Sequence, residues 1–376
     1  MTLDAFKLDP GKISSRQLMF IIITFIISTA DIFLPNIVAQ QAGRDSWISI
    51  LIALAEALVV AAVAVALGLR FPRLTLVQIS QKVLGKWLGW ILAFIFVNAF
   101  FLSLFFLIVG EFGVIIKSSF LQQTPLIVLN GLLIIIAAYA VYQGIETIAR
   151  VTEILMPLGI GVLFLVGLLV LPEVDINNYL PIMEEGIVPV INGSYRLVSF
   201  LGEGIIILML IPYVNQPQKV PSTISWSMII LAAFLLIGVL AIGMFGPQQT
   251  ANMTFPALQM VRRIQIGDFL EHLDAIIMTI WVGGIYIKSV IIYYICCIGY
   301  AQLFNVKHYR LLIPPIGIVV TAISIEYVSN IIGLIDYIAN ALPGQALIFE
   351  FLIPLLLLVV AAVRGIKEKD DTKSND

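Results

Sequence analysis

Long apolar segments separated by short polar ones make up most of this chain. A helix needs about 20 apolar residues to cross the hydrocarbon core of a bilayer. Ten segments reach that length, which predicts an all-α membrane protein. The predicted helices cover residues 16–40, 44–69, 88–117, 125–143, 147–171, 187–213, 222–246, 268–302, 309–327 and 344–363.

Two of these helices carry residues that interrupt the apolar pattern near their middle. Helix 1 contains Asp31 and Pro35, and helix 6 contains Glu203 between Gly202 and Gly204. Charges, glycines and prolines in a spanning helix indicate unwound backbone, which is tolerated where it lines a protein cavity. Each interruption lies in the first helix of a half of the chain, as in inverted-repeat transporters with a ligand site near the midplane.

The order of the helices predicts a 5+5 arrangement. Five helices precede an acidic loop after residue 171, and five follow it. Because five is odd, the second half enters the membrane from the opposite side, so any repeat is inverted. We expect one polytopic domain over 1–366, with repeats at about 14–171 and 185–363, and a disordered cytoplasmic tail at 367–376.

Composition and charge fix the class and predict the orientation. The chain is 60% hydrophobic and 12% charged, with a mean hydropathy of +1.05, which excludes a soluble domain. Basic residues stay on the cytoplasmic side of spanning helices. With the amino terminus inside, fifteen Lys and Arg lie on inner segments and four on outer ones. Both termini are therefore predicted to be cytoplasmic.

A broken helix exposes free carbonyls at the end of one half and free amides at the start of the other. The resulting partial charges of opposite sign suit a zwitterion. Amides after Thr29 would bind a carboxylate, and carbonyls near Ile27 and Phe200 would bind an ammonium group. The alternative for helix 1 is a kink at Pro35 without any ligand.

Several polar side chains at membrane depth are candidates for chemistry, since buried charges are costly unless they are paired. Asp31 and Glu203 would hold a substrate ammonium or cap a half-helix. Lys288 would pair with a carboxylate, take the place of a coupling cation, or extend to the interface. Glu111 is a further candidate or an interfacial residue, and Asn98 lines the gap or joins helices.

No enzymatic arrangement emerges from the sequence. It has no Gly-rich phosphate loop and no metal-ligand spacing, and the adjacent Cys296 and Cys297 suggest neither a disulfide framework nor a metal site. We therefore expect a protein that is not an enzyme, with no cofactor, no metal and no nucleic-acid partner.

Several short motifs occur together along the chain. They are Ile13–Gln17, Ile32–Pro35, Arg150–Glu153 with Pro157, Pro256–Arg262, Ile266–Asp274 and Trp281. This set resembles the B subunit of spore nutrient germinant receptors over nearly the whole chain, and residues 262–274 are its most specific part. His272 stands where the resemblance leads us to expect an arginine.

The resemblance implies a fold and a role. The family belongs to the amino acid/polyamine/organocation transporter superfamily, which implies the 5+5 inverted repeat with broken helices 1 and 6. Its members sit in the spore inner membrane, bind a nutrient such as an amino acid, and act with a large A subunit and a lipoprotein C subunit. By carry-over, the pocket comprises Ser28, Thr29, Ala30, Asp31, Phe200, Gly202 and Glu203 with faces of helices 3 and 8.

Three functions are consistent with these features. The first is a nutrient-sensing receptor subunit, and the second is a proton- or cation-coupled amino acid transporter in which Asp31, Glu203 and Lys288 couple the ion. The third is a subunit that contributes to an ion or water path. All three need a cavity at the same helix breaks, so all three stand at this point.

Overall fold

The structure is a computed structural model that describes residues 9–263, 273–328 and 330–368. Within these ranges the chain is helical, and its one β contact is an isolated parallel bridge between Ile13 and Val214. Nine described segments are long and apolar enough to span a membrane. The first, Ser15–Arg70, is 56 residues long and consists of two helices joined at Gly43–Asp45, so the ten predicted helices are present.

We label the spanning helices α1 to α10 in chain order. They are α1 (Ser15–Ala42), α2 (Ser46–Arg70), α3 (Lys86–Ser119), α4 (Leu126–Gln143), α5 (Ile145–Val170), α6 (Ile187–Tyr213), α7 (Val220–Phe245), α8 (Leu273–Leu303), α9 (Ile313–Tyr327) and α10 (Leu342–Val363). Short helices lie between them at Leu76–Leu84, Pro247–Asn252, Pro256–Arg263 and Ile331–Asn340. The predicted start of helix 8 at residue 268, and His272, lie outside the described residues.

The segment before α1 is fixed by hydrogen bonds. Ser14 and Gln17 form a capping box at the start of α1. The amide of Ile13 donates to the carbonyl of Tyr213 at 2.8 Å, and the amide of Asn215 donates to the carbonyl of Ile13 at 2.9 Å. The start of α1 is therefore joined to the end of α6.

Helix 1 differs from the sequence prediction, because α1 keeps helical hydrogen bonding from Ser15 to Ala42. Pro35 removes one backbone donor, but the residues from Ser28 to Ala39 are all buried by neighbouring helices. Backbone groups in such a dry environment are best satisfied by the helix itself. The unwound backbone expected around Thr29 is therefore absent from α1.

Helix 6 changes its winding where the glycines predicted it. An α-helix over Ile187–Leu201 is followed by a 3₁₀ segment at Gly202–Ile206 and then by a short α turn. A Cβ atom on Gly202 would collide with the carboxylate of Glu350 on α10. Glycine at this position therefore permits a close approach between α6 and α10.

Two π-helical turns, which the sequence analysis did not predict, face each other in the core. They lie at Val97–Leu102 in α3 and Leu347–Leu352 in α10. Phe100 and Phe349 stack across this contact, with ring centroids 5.6 Å apart and an interplanar angle of 14°. π turns are frequent at functional sites, and this one in α10 carries the buried Glu350.

The predicted tail begins at residue 367, but its first residues are bound to the helical domain. The amide of Glu368 donates to the carbonyl of Arg70 at 3.2 Å, and its carboxylate accepts from the amide of Arg73 at 3.0 Å. Residues 369–376 lie outside the described residues. The domain boundary and the limits of the two repeats remain predictions.

Candidate functional site

A buried lysine joins three helices at the centre of the molecule. Lys288, in the middle of α8, is 1% exposed. Its ammonium group donates to the carboxylate of Glu203 on α6 at 2.7 Å and to the hydroxyl of Thr29 on α1 at 2.6 Å. The rings of Phe25 and Phe200 lie 5.1 and 5.9 Å from the same nitrogen, within cation–π distance.

This arrangement occupies the place between helices 1 and 6 where the sequence predicted a ligand. Glu203 already binds the ammonium group of Lys288 and has no need of a ligand ammonium. The charge pair also links the first half of the chain, through Thr29, to the second half. Each group of the pair depends on the other, because a buried charge without its partner is costly.

Two further carboxylates lie within electrostatic range of this pair. Glu111 on α3 and Glu350 on α10 are 2% and 3% exposed, and both interact with Lys288 and Glu203. Among the described residues, Oε2 of Glu111 has no hydrogen-bond partner. The core around Lys288 therefore contains three buried carboxylates and one buried ammonium group, an excess of negative charge that protons or a cation would offset.

A cavity of about 130 Å³ lies beside this centre, between α1, α5 and α8. Its polar groups include the carboxylate of Asp31, which accepts a hydrogen bond from Nε1 of Trp281 at 3.2 Å. The hydroxyl of Thr24 is buried without a partner among the described residues. Ser28 also lines the cavity, and the remaining wall is mostly apolar: Ile27, Leu155, Met156, Leu158, Ile160, Leu163, Ile280 and Ile287.

The structure thus separates the predicted residues into groups. Ser28 and Asp31 line the α1/α5/α8 cavity, and Thr29, Phe200 and Glu203 surround Lys288. Ala30 is fully buried in the apolar core.

Asn98 and Gly202 lie outside both groups. Asn98 donates to the carbonyl of Phe94 at 2.8 Å and accepts from the hydroxyl of Tyr300 at 2.7 Å, which joins α3 to α8. Gly202 lies against Glu350.

Glu350 is the main residue that the sequence analysis missed. It is an acidic residue within an apolar span, so the rule that selected Glu111 would also have selected it. Trp281 entered only as part of a motif, and nothing in the sequence connected it with Asp31. The role of Phe25 also depends on tertiary packing, because an aromatic residue in a spanning helix gives no local signal.

Comparison with known proteins gives a consistent result. Residues 12–332 match the family described as spore germination protein. The chain is 27% identical to spore germination protein KB of Bacillus subtilis, over 98% of this chain and 99% of that protein. It is also 31% identical to spore germination protein XB of Bacillus anthracis, over 68% of this chain and 72% of that protein.

A solved structure supports the fold. Mhp1, a nucleobase-cation-symport-1 family transporter in a closed conformation with bromovinylhydantoin bound, superposes with a TM-score of 0.67. The superposition covers 90% of this chain and 78% of Mhp1, at 11% sequence identity. At this identity the similarity shows a shared transporter fold alone, and it confirms the predicted fold class.

Proposed function

Because this chain belongs to the spore germination protein family, as its motifs indicated, we propose that it is the subunit of a spore germinant receptor that senses the nutrient. The ligand is an amino acid with a small or apolar side chain. The observation that carries this proposal is the cavity between α1, α5 and α8, where a buried carboxylate faces apolar walls. Such a combination is typical of small-molecule sites.

The chemistry of the cavity lining would suit an α-amino acid. Asp31 would accept from the ligand ammonium, and the hydroxyl of Ser28 would turn toward the ligand carboxylate. These two residues are three positions apart on α1, about 4.5 Å along the helix axis. The unpartnered hydroxyl of Thr24 offers one more donor, and the aliphatic wall of α5 would bind the ligand side chain.

Signalling follows from the helices that the ligand would contact. α1 and α8 line the cavity, and they also carry Thr29 and Lys288, which are hydrogen-bonded to each other beside Glu203. A ligand that binds one arrangement of these helices more tightly shifts the population toward it, by no more than its difference in affinity. The A subunit and the lipoprotein C subunit would respond to that shift in the spore inner membrane.

The proposal is tested by thermal stabilisation of the purified protein with each amino acid in turn. A leucine at position 283 would fill the cavity, since a Cβ atom on Gly283 meets no atom within 4 Å. The matched control is Gly161→Leu, at an exposed α5 position with equally open space. We expect one or a few amino acids to raise the melting temperature of wild type and Gly161→Leu, and to have no effect on Gly283→Leu.

Two results would contradict this proposal. If no amino acid stabilises a folded wild-type protein, the subunit alone has no amino acid site. If stabilisation is unchanged in Gly283→Leu, the ligand binds outside the α1/α5/α8 cavity.

A second candidate is an amino acid transporter, which the fold shared with Mhp1 favours. Transport needs the same cavity and also a cycle that opens it to each side of the membrane. Uptake of the stabilising amino acid into proteoliposomes, against its concentration gradient, would support this candidate over sensing.

A further inference from the structure

Apart from the α1/α5/α8 cavity, a crevice lies between α2, α6 and α10, on the outer surface of the helix bundle. Its volume is about 310 Å³. Val59 and Leu347 line it and are 56% and 45% exposed, on spanning helices whose outer faces are apolar. Because these exposed apolar faces lie within spanning segments, the crevice opens toward the hydrocarbon region of the bilayer.

Two carboxylates face this crevice. Oε1 of Glu56 accepts from the hydroxyl of Ser194 at 3.3 Å, and Oε2 is buried with no partner among the described residues. Glu350 is 3% exposed, and no hydrogen bond to its carboxylate is found in the described part of the chain. Of the residues that the structure describes, these two acids line the crevice and no basic side chain does.

We propose that this crevice binds an amphiphilic organic cation, a protonated amine with a short apolar chain, that enters from the bilayer. A primary ammonium group carries three donors, and charge-assisted bonds to carboxylates are among the strongest in proteins. Glu56, Glu350 and the hydroxyl of Tyr195 supply the acceptors. The apolar chain of the amine would lie along the remaining wall, formed by Val59, Val60, Val198, Pro343, Ala346, Leu347 and Phe351.

The walls favour an amine over a metal ion. Calcium takes six to eight oxygen ligands and magnesium requires an octahedral set. In the described part of the chain, the crevice offers two carboxylates and one phenol hydroxyl, and its other lining side chains are apolar. A cation with its own apolar surface would bury that surface as well as its charge.

Occupancy of the crevice would also act on the central ion pair. The Glu350 carboxylate lies against Gly202, one residue before Glu203, and it interacts with both Glu203 and Lys288. A bound cation would neutralise Glu350, so it would no longer repel Glu203 or compete for Lys288. The Lys288–Glu203 pair would then be strengthened by a ligand that does not touch it.

Carbodiimide labelling of the wild-type protein in bilayer nanodiscs tests this proposal. Dicyclohexylcarbodiimide reaches carboxyl groups from the apolar phase, and mass spectrometry locates the modified residue. We expect labelling at Glu350 or Glu56. At ten times the dissociation constant of n-hexylamine, the modified fraction should fall roughly tenfold by mass action, counted as the N-acylurea plus the hexylamide that aminolysis of the O-acylisourea would give. Equal concentrations of n-hexanol and of potassium chloride should give no protection.

Thermal stabilisation by n-hexylamine provides an independent measurement. We expect it in wild type and in Glu326→Gln, which removes an exposed carboxylate on α9, and we expect it to be lost in Glu350→Gln and Glu56→Gln. Equal protection by n-hexanol would reduce the crevice to an apolar site, and protection by potassium chloride would make it an inorganic cation site. Protection from labelling by n-hexanol or by potassium chloride overturns the proposal. It is also overturned if neither Glu350 nor Glu56 is labelled.

Discussion

Lys288 is 1% exposed and reaches acceptors on two other helices. For a buried ion pair, loss of one partner leaves an uncompensated charge and costs about 3–5 kcal/mol, whereas apolar replacement of both is often neutral. Lys288→Met should therefore lower the free energy of unfolding by about 3–5 kcal/mol. The double variant Lys288→Met/Glu203→Leu should recover most of that loss in denaturant titrations. Additive losses in the double variant would show that the two charges do not depend on each other.

Asp31 offers the residue-scale test of the ligand site. Its carboxylate keeps an acceptor for Trp281 when it becomes an amide, so Asp31→Asn retains this contact and removes the charge. A hydrogen bond to a charged group contributes about 1.5–3 kcal/mol, so the affinity for the stabilising amino acid should fall roughly ten- to 150-fold. Calorimetric titration measures this, with the exposed Asp336→Asn as control. Unchanged affinity would remove Asp31 from the site.

At the scale of elements, the packing of α6 differs between its two glycines, Gly202 and Gly204. A Cβ on Gly202 would overlap the Glu350 carboxylate, whereas one on Gly204 would meet the end of the Met228 side chain at 2.9 Å and the end of the Ile26 side chain at 3.9 Å. Overpacking a core costs about 1–3 kcal/mol. At Gly202 both Oε2 and Cδ of Glu350 lie within the overlap, whereas at Gly204 only the terminal methyl of a flexible methionine has to move. Gly202→Ala should lower the melting temperature clearly more than Gly204→Ala does. Equal shifts would mean that α6 and α10 separate readily at this point.

The helices themselves were predictable because span length and apolar composition are local properties of the chain. The winding change in α6 was predictable from its glycines. The continuity of α1 and the π turns of α3 and α10 were not, since the hydrogen-bonding pattern there depends on how helices pack. For the same reason the sequence identified Ser28, Thr29 and Asp31 as one group, although in the structure Thr29 meets Lys288 while the other two line the cavity.

At the scale of the whole molecule, both ends of α1 are held. Near its start, Arg16 pairs with Glu153 of α5, and Gln17 donates to the same carboxylate at 3.0 Å. Near its other end, Asn36 donates to the carbonyls of Ala251 and Met253 at 2.8 and 2.7 Å. Both ends of α1 are therefore fixed to other elements of the fold.

The basic residues predict the orientation of the molecule. With fifteen of them on one side and four on the other, the positive-inside rule predicts that both termini are cytoplasmic. A reporter enzyme that is active only outside the cytoplasm should therefore be inactive when fused after residue 376, and active when inserted in the acidic loop near Glu185. The opposite pattern would invert the assignment of every loop.

The central lysine also separates sensing from transport. In a coupled transporter the driving ion must bind and leave in every cycle, but Lys288 is tethered to α8 and already neutralises Glu203. We therefore expect proteoliposomes to show binding of the stabilising amino acid without accumulation, whether a proton or a sodium gradient is imposed. Proteoliposomes with the Lys288→Met variant provide the matched test of ion coupling, because loss of the lysine leaves Glu203 available to a mobile cation. Concentrative uptake by the wild-type protein would show that Lys288 releases its proton or its partner during a cycle, and the chain would then be a transporter.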